Sequence, residues 1–306
     1  MYIIGENIHI ISPRVKEAFA EKNIKYFQEE AVRQVEAGAH YLDLNIGPQK
    51  KAGHEILPWL VKGVQEVVDA PLVLDTTNLA AIEEGLKVAK HQCIINSTSA
   101  EEERLANVPL VAKKYNAKLI ALTMAKSGIP VSADERVNIA LEYLIPRAVE
   151  LGIPMEDLLI DPLVLTVSGC QEYCPECVEA VRIVKLAGDP PPMTNAGLSN
   201  VSNQVPNEMR PLLNRTYLVM LMAVGLDYVI ANPLDEEQNE FIRIVTERND
   251  STGLGRVLLA LHDRTAAAER LTADDVDMND PEQAGVFKTA QVLYNQVIYT
   301  DSYLRV

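Results

Sequence analysis

Cysteine is scarce. The 306-residue chain has four, Cys93, Cys170, Cys174 and Cys177. They are too few and too clustered for a disulfide framework in a chain this long, so a reduced, cytoplasmic setting is expected. Positive charge is also in deficit: 28 Lys and Arg against 43 Asp and Glu leave a formal net charge of −15. Nucleic-acid and anionic-membrane surfaces need a positive footprint, and the deficit argues against both. No apolar run approaches the roughly 20 residues of a membrane span. The N-terminus, MYIIGENIHI, lacks the basic region and cleavage site of a signal peptide. What remains is an ordinary globular composition, 48% hydrophobic and 23% charged. The length suits one large α/β domain or two smaller ones, with a core that needs no staples.

Short apolar runs recur along the chain. They are YIIGENI (2–8), YLDLNIG (41–47), PLVLDTTN (71–78), CIINSTS (93–99), KLIALTM (118–124), LLIDPLVL (158–165), MTNAGLSN (193–200) and YVIANP (228–233). Runs rich in β-branched residues and Leu read as strands buried on both faces. Helix-period segments lie between them, such as YFQEEAVRQVEAGA and AAIEEGLKVAKH. Eight β–α alternations in succession predict a (β/α)8 barrel, with a doubly wound sheet as the alternative.

A barrel of this kind carries its active site at the C-terminal ends of its strands. Those ends hold Glu6 and Asn7; Asp43 and Asn45; Asp75, Thr76, Thr77 and Asn78; Asn96, Ser97 and Thr98; Asp161; Ser199, Asn200, Ser202 and Asn203; and Asn232. The rim has no Lys placed for catalysis, no His cluster and no Ser beside a His. Each of these residues, taken singly, also suits the N-cap of the next helix. Their recurrence at seven of the eight strand ends points to a shared polar site. Carboxylates and amides together suit a neutral heterocycle with many donors and acceptors. A phosphate would require Gly-rich loops, Lys or Arg, and GLSN offers one Gly and no base nearby.

The segments GENI, LDLNIGP, LDTTN, INSTSAE, LTMAKSGIP, PMEDLLIDPL and GLSNVSN, in this order, resemble the methyltetrahydrofolate–corrinoid protein methyltransferases. That family comprises pterin-binding TIM barrels, dihydropteroate synthase-like in fold. It includes the methyltransferase component of anaerobic O-demethylase systems and is related to the folate domain of cobalamin-dependent methionine synthase. The resemblance covers residues 1 to about 235 and resumes over FKTAQVLYNQVIYTDSYL (287–304). It implies methyl transfer between N5 of tetrahydrofolate and the cobalt of a corrinoid. The D-x-H-x-x-G pattern of corrinoid-binding domains is absent from the five His positions. The cobalt is therefore expected on a separate corrinoid protein. A homodimer is implied by resemblance only.

Carried over by position, the resemblance implies that Asp75, Asn96 and Asp161 hold the pterin ring. Catalytic Asn200 then lies beside N5, Gly197 and Ser199 help order water there, and Glu6 lies close to the pterin floor. Asn203 stands where the family commonly has Gln. Arg210 matches an Arg after strand 7, although VPNEMR departs in length from the usual pattern. An amide that can swap donor for acceptor serves transfer in either direction, as charge builds on N5 or is relieved. The Asp residues anchor and orient the ring. For Asp75 a helix-capping role stays open. Two rival readings are a dihydropteroate synthase and a folate-binding protein without activity. The first needs a Lys near strand 7 and basic residues near strand 8, which NAGLSN and VIANPLDEE lack.

Two segments fall outside that pattern. GCQEYCPEC (169–177) has the C-x3-C-x2-C spacing with which radical-SAM enzymes hold an iron–sulfur cluster. Those cysteines follow the first strand of a partial barrel, with an aromatic before the third. Here they follow strand 6, and Glu176 precedes Cys177. No fourth ligand is at hand for a closed zinc site. No metal is expected, and Pro175 suits the first turn of a helix. His40 and His91, near helix ends, are expected to be structural. Residues 236 to about 285 exceed what the resemblance requires after strand 8. GRVLLALHDRTAAAERL reads as a helix and TADDVDMNDPEQ as a solvated linker. The segment is taken as a surface insertion in a single domain spanning 1–306. A role in docking the corrinoid protein or in the dimer contact is the sharper alternative. It also inclines the assignment toward the O-demethylase direction, methylcorrinoid to tetrahydrofolate.

Overall fold

In a computed structural model that describes residues 1–305, eight parallel strands close into a barrel in chain order. They are β1 (Tyr2–Gly5), β2 (Tyr41–Asn45), β3 (Leu72–Asp75), β4 (Ile94–Ser99), β5 (Lys118–Leu122), β6 (Leu158–Asp161), β7 (Met193–Gly197) and β8 (Tyr228–Ala231). β1 pairs with both β2 and β8, which completes the ring. The (β/α)8 expectation therefore holds, with strands shorter than the apolar runs. Residues 6–8 leave the sheet after β1, and Leu198–Ser202 turns into a 3-10 helix after β7.

The two-residue period of a strand sends alternate side chains inward and outward. Outward residues such as Leu42, Leu44, Leu72, Leu74, Ile95 and Ile160 pack under the helices. Inward residues Ile4, Val73, Ile94, Ile120, Leu159 and Tyr228 form a separate buried plug. Two residues farther along the same strands or their immediate extensions stand Glu6, Asp75, Asn96, Leu122, Asp161 and Ile230, all lining the barrel mouth. The inward face thus passes from apolar at the N-terminal end to largely polar at the C-terminal end. Tyr2 stacks on Tyr228 at the closed end, with ring centroids 5.0 Å apart. His40 sits there too, accepting the Ile3 N–H at 3.1 Å, far from the mouth. His91 pairs with Asp69 on the surface.

The loop after β1 is held from below. Gln34, fully buried on the helix Ile24–Glu36, accepts the Asn7 N–H at 3.0 Å. A Cβ on Gly5 would collide with that Gln34 carboxamide, so only glycine admits the contact. After β8 come the helices Glu236–Glu247, Gly253–Ala266 and Pro281–Leu293. Val257, Leu258 and Leu261 are fully buried in the same cluster as Leu213, Tyr217 and Leu221 of the helix Arg210–Ala223. The acidic stretch between the last two helices stays largely exposed, and Asp275 within it pairs with Arg264.

Candidate active site

The mouth is a cavity of about 200 Å³ lined by Glu6, Asp75, Asn96, Asp161, Gly197, Ser199 and Asn200, among others. Every one of these was expected at the site. Asn203 lies beside it, in an open trough of about 520 Å³ that also takes in His9 and Asn200. Arg210 lies in a third cavity, of about 280 Å³, between the loops after β7 and β8. Glu6 and Ser199 line all three, so the cavities meet at that pair.

Each of the mouth's carboxyls just named is held by partners that the barrel brings together. Asp75 accepts from Asn45 Nδ2 at 2.5 Å and from Asn96 Nδ2 at 3.3 Å, from the neighbouring strands β2 and β4. It does not cap the next helix: Asn78 does, accepting the Ala81 N–H at 3.2 Å. Asp161 accepts the Leu163 N–H at 2.8 Å and Asn195 Nδ2 at 2.7 Å. Ser199 Oγ donates to Glu6 Oε2 at 2.8 Å, and Asn203 Nδ2 donates to Asn200 Oδ1 at 3.1 Å. Gly197 leaves room for this arrangement, since a Cβ there would stand 2.9 Å from Asn200 Nδ2. Arg210 Nε donates to Ser202 Oγ at 3.2 Å.

Burial dominates the electrostatics. It pushes Asp75 and Asp161 up to about 6, against the donors just named and the charges of Arg104 and Arg136. Burial likewise pushes Glu6 up to about 7, against Ser199 and Arg210. Asp43, 2% exposed beneath Asp75, is driven well above the carboxylate range by burial and by the charges of Asp75 and Glu6. Its Oδ1 has no hydrogen-bond partner, and neither does Asn195 Oδ1. The site therefore offers buried acceptors that N–H donors would satisfy.

A model of the pterin-binding enzymes matches residues 13–232. The chain is a member of that family. A methylcorrinoid:tetrahydrofolate methyltransferase from Eubacterium limosum is 28% identical over 243 residues, which are 78% of this chain and 87% of that protein. Methionine synthase from Mycobacterium tuberculosis is 28% identical over 265 residues, 80% of this chain but 22% of that longer protein. Dihydropteroate synthase structures share the fold. That from Yersinia pestis superposes with a TM-score of 0.60 at 18% identity, covering 81% of this chain and 93% of that one. That from Thermus thermophilus gives 0.57 at 18%, covering 79% and 92%. At this identity the likeness is one of fold.

Some residues of this pterin-binding enzyme's mouth are legible in the sequence by position but not by role, and others give little or no signal. Asp43 and Asn45 belong to the polar strand ends, yet nothing in the sequence says that one lies at the cavity floor and the other grips Asp75. Asn195 is signalled by its two-residue spacing from Gly197, which puts both on the inward face. His9 gives no signal. Its Nδ1 accepts the Ile11 N–H at 3.1 Å, so a neutral ring carries its proton on Nε2. Arg136 is fully buried and reaches the carbonyls of Pro130 and Leu163 at 3.0 and 3.3 Å. The cysteines lie on the short helix Val167–Cys170 and the helix Tyr173–Val184. Cys174 and Cys177 are buried, and burial raises both thiols, Cys177 to about 11. Among the described residues no three His, Cys, Asp or Glu side chains converge as metal ligands.

Proposed function

We propose that this enzyme transfers a methyl group between N5 of tetrahydrofolate and the cobalt of a corrinoid held by a separate protein. The family match and the methyltransferase relatives support the reaction class. The observation that carries the reading is the position of Asn200. It lines both the enclosed mouth and the open trough, over Gly197. A substrate ring seated on Asp75, Asn96 and Asp161 would present its reacting edge there, with the trough left for the approach of a large partner. The donors of a pterin edge match buried acceptors such as Asp43 Oδ1. Their arrival would favour the ionised forms of Asp75 and Asp161.

In this reading the two aspartates, with Asn96, orient the ring. The Asn200 amide, held through its oxygen by Asn203, turns its other end to N5. That end is the Nδ2 group, a donor toward N5; a flip of the amide, which exchanges its contact with Asn203, presents the oxygen as an acceptor when positive charge develops there. The favoured direction is methylcorrinoid to tetrahydrofolate, in an anaerobic O-demethylation system. The similarity to the Eubacterium limosum protein supports that direction. A cytoplasmic homodimer belongs to the same reading and rests on the resemblance.

The test is an anaerobic mixture of the protein, tetrahydrofolate and methylcobalamin, followed by the absorbance of Co(I), with the reverse reaction alongside. Asn200→Ala is expected to slow transfer about 100-fold, while calorimetry finds tetrahydrofolate still bound. A wild-type protein that binds the folate but moves no methyl in either direction, with free cobalamin or a corrinoid protein, is a binding protein and the proposal fails.

A further inference from the structure

Methyl transfer to tetrahydrofolate releases a proton from N5, and the reverse consumes one. We infer that Glu6 is the group that takes this proton when the methyl arrives and returns it when the methyl leaves. The inference rests on the methyl-transfer reading above and adds a residue and a role to it.

The geometry singles out Glu6 among the groups at the mouth. It lines all three cavities and so stands where the enclosed floor opens to the trough. Ser199, the residue before Asn200, donates to Glu6 Oε2, and among the described residues no other donor reaches this carboxyl. Its second oxygen is therefore available to a proton. The other candidates are placed less well. Asp161 accepts a donor on each oxygen. Asp75 takes both of its donors on Oδ2, but it lines the enclosed mouth and not the trough by which the partner would approach. Asp43 lies deeper, beneath Asp75, and 2% exposed. His9 has its Nδ1 occupied by the Ile11 N–H, so its neutral ring is a donor only.

The step balances as follows. Toward tetrahydrofolate, the N5 lone pair forms the new N–C bond. The cobalt–carbon bond breaks with its electron pair left on cobalt as Co(I). The N5–H proton passes to the Glu6 carboxylate. In reverse, protonated Glu6 gives its proton to N5, Co(I) takes the methyl, and the N–C pair returns to nitrogen. A carboxyl that titrates near the working pH suits both directions, and burial pushes Glu6 up to about 7.

Several charged groups face Glu6. Asp43 and Asp75 from β2 and β3, and Asp161 from β6, share the mouth. Arg210 faces it from the helix Arg210–Ala223 and Asp235 from the loop after β8, where Arg215 binds Asp235. Tyr26 and the paired Glu30 and Arg33 face it across the trough from the helix Ile24–Glu36, as does His9. Of these, Arg210 opposes the upward push of burial.

Single-turnover transfer by the full chain, in both directions and across pH, tests the assignment with Glu6→Gln and Glu6→Asp. Tetrahydrofolate binding to each is measured by calorimetry. Wild-type transfer to tetrahydrofolate is expected to rise with pH through about 7 and the reverse to fall over the same range. Glu6→Gln should bind tetrahydrofolate normally, lose about 100-fold or more in transfer and show flat profiles. Glu6→Asp should recover part of the rate and the titration. A Glu6→Gln protein with wild-type rates and profiles overturns the assignment and leaves methyl transfer standing. One that loses binding along with transfer makes Glu6 a binding group only, and also overturns it. A wild-type protein that transfers no methyl overturns the underlying reading and this inference with it.

Discussion

Asn195 grips Asp161 from the adjacent strand. It is fully buried on β7, with Nδ2 2.7 Å from the Asp161 carboxylate. A donor to the charged form holds a carboxyl down, so its loss lets burial push Asp161 above its present value of about 6. Asn195→Ala should therefore weaken tetrahydrofolate binding at pH 7 by about 1 kcal/mol. The acid limb of the binding curve should move to higher pH, and Asn195→Ser should restore part of the affinity. Calorimetry at several pH values checks this, and an unmoved acid limb would show that Asn195 does not hold Asp161. At this scale sequence was informative about residue type and strand end. It was silent on partners: that Asn45 grips Asp75, or that Arg136 sits behind Asp161, depends on contacts between segments far apart in the chain.

Among the elements, strands were the most legible and the loops after them the least. An apolar run continues into polar residues whether the chain stays in the sheet or turns out of it. Thus GLSN reads as a strand end, whereas its last residues form a 3-10 turn that sets Ser199 beside Glu6. The segment after β8 poses the opposite problem. GRVLLALHDRTAAAERL reads as a helix, but periodicity alone does not say what covers its apolar face. In the fold that face is buried against the helix Arg210–Ala223, with Leu258 and Leu261 fully enclosed. Leu258→Ala should cost the whole chain about 2–5 kcal/mol, seen as a lower midpoint in a single denaturant transition. A loss confined to a separate minor transition would show that the helix folds apart from the barrel.

Over the whole molecule, the mouth carboxyls couple stability to pH. Glu6, Asp75 and Asp161 sit at about 7, 6 and 6 in the fold, against roughly 4 in an unfolded chain. Between those values the native state holds more protons than the unfolded one. Stability is then fully present below the unfolded values and is lost as pH rises through 6 to 7. Asp275, held at about 2 by Arg264, works the other way, but only as pH falls below about 4. The ligand-free protein should thus melt at a higher temperature at pH 5 than at pH 8. Asp43→Asn, removing a buried carboxyl with an unpartnered oxygen, should reduce that difference. Tetrahydrofolate should reduce it too, by favouring the ionised forms. Scanning calorimetry with and without the ligand would show this, and a midpoint that rises with pH would contradict it.

Sequence alone determined the barrel, its order and the polar character of its mouth. The two-residue and 3.6-residue periods and the run lengths are local properties, and eight repeats leave few ways to bury every strand. The motifs also marked Asp75, Asn96, Asp161 and Asn200, because strand ends in a closed barrel converge whatever the helices do. Tertiary structure alone decided which donors hold each carboxyl, how far burial lifts it, and where the three cavities meet. Those depend on distances between residues such as Glu6 and Ser199, 193 positions apart in the chain and 2.8 Å apart in the fold.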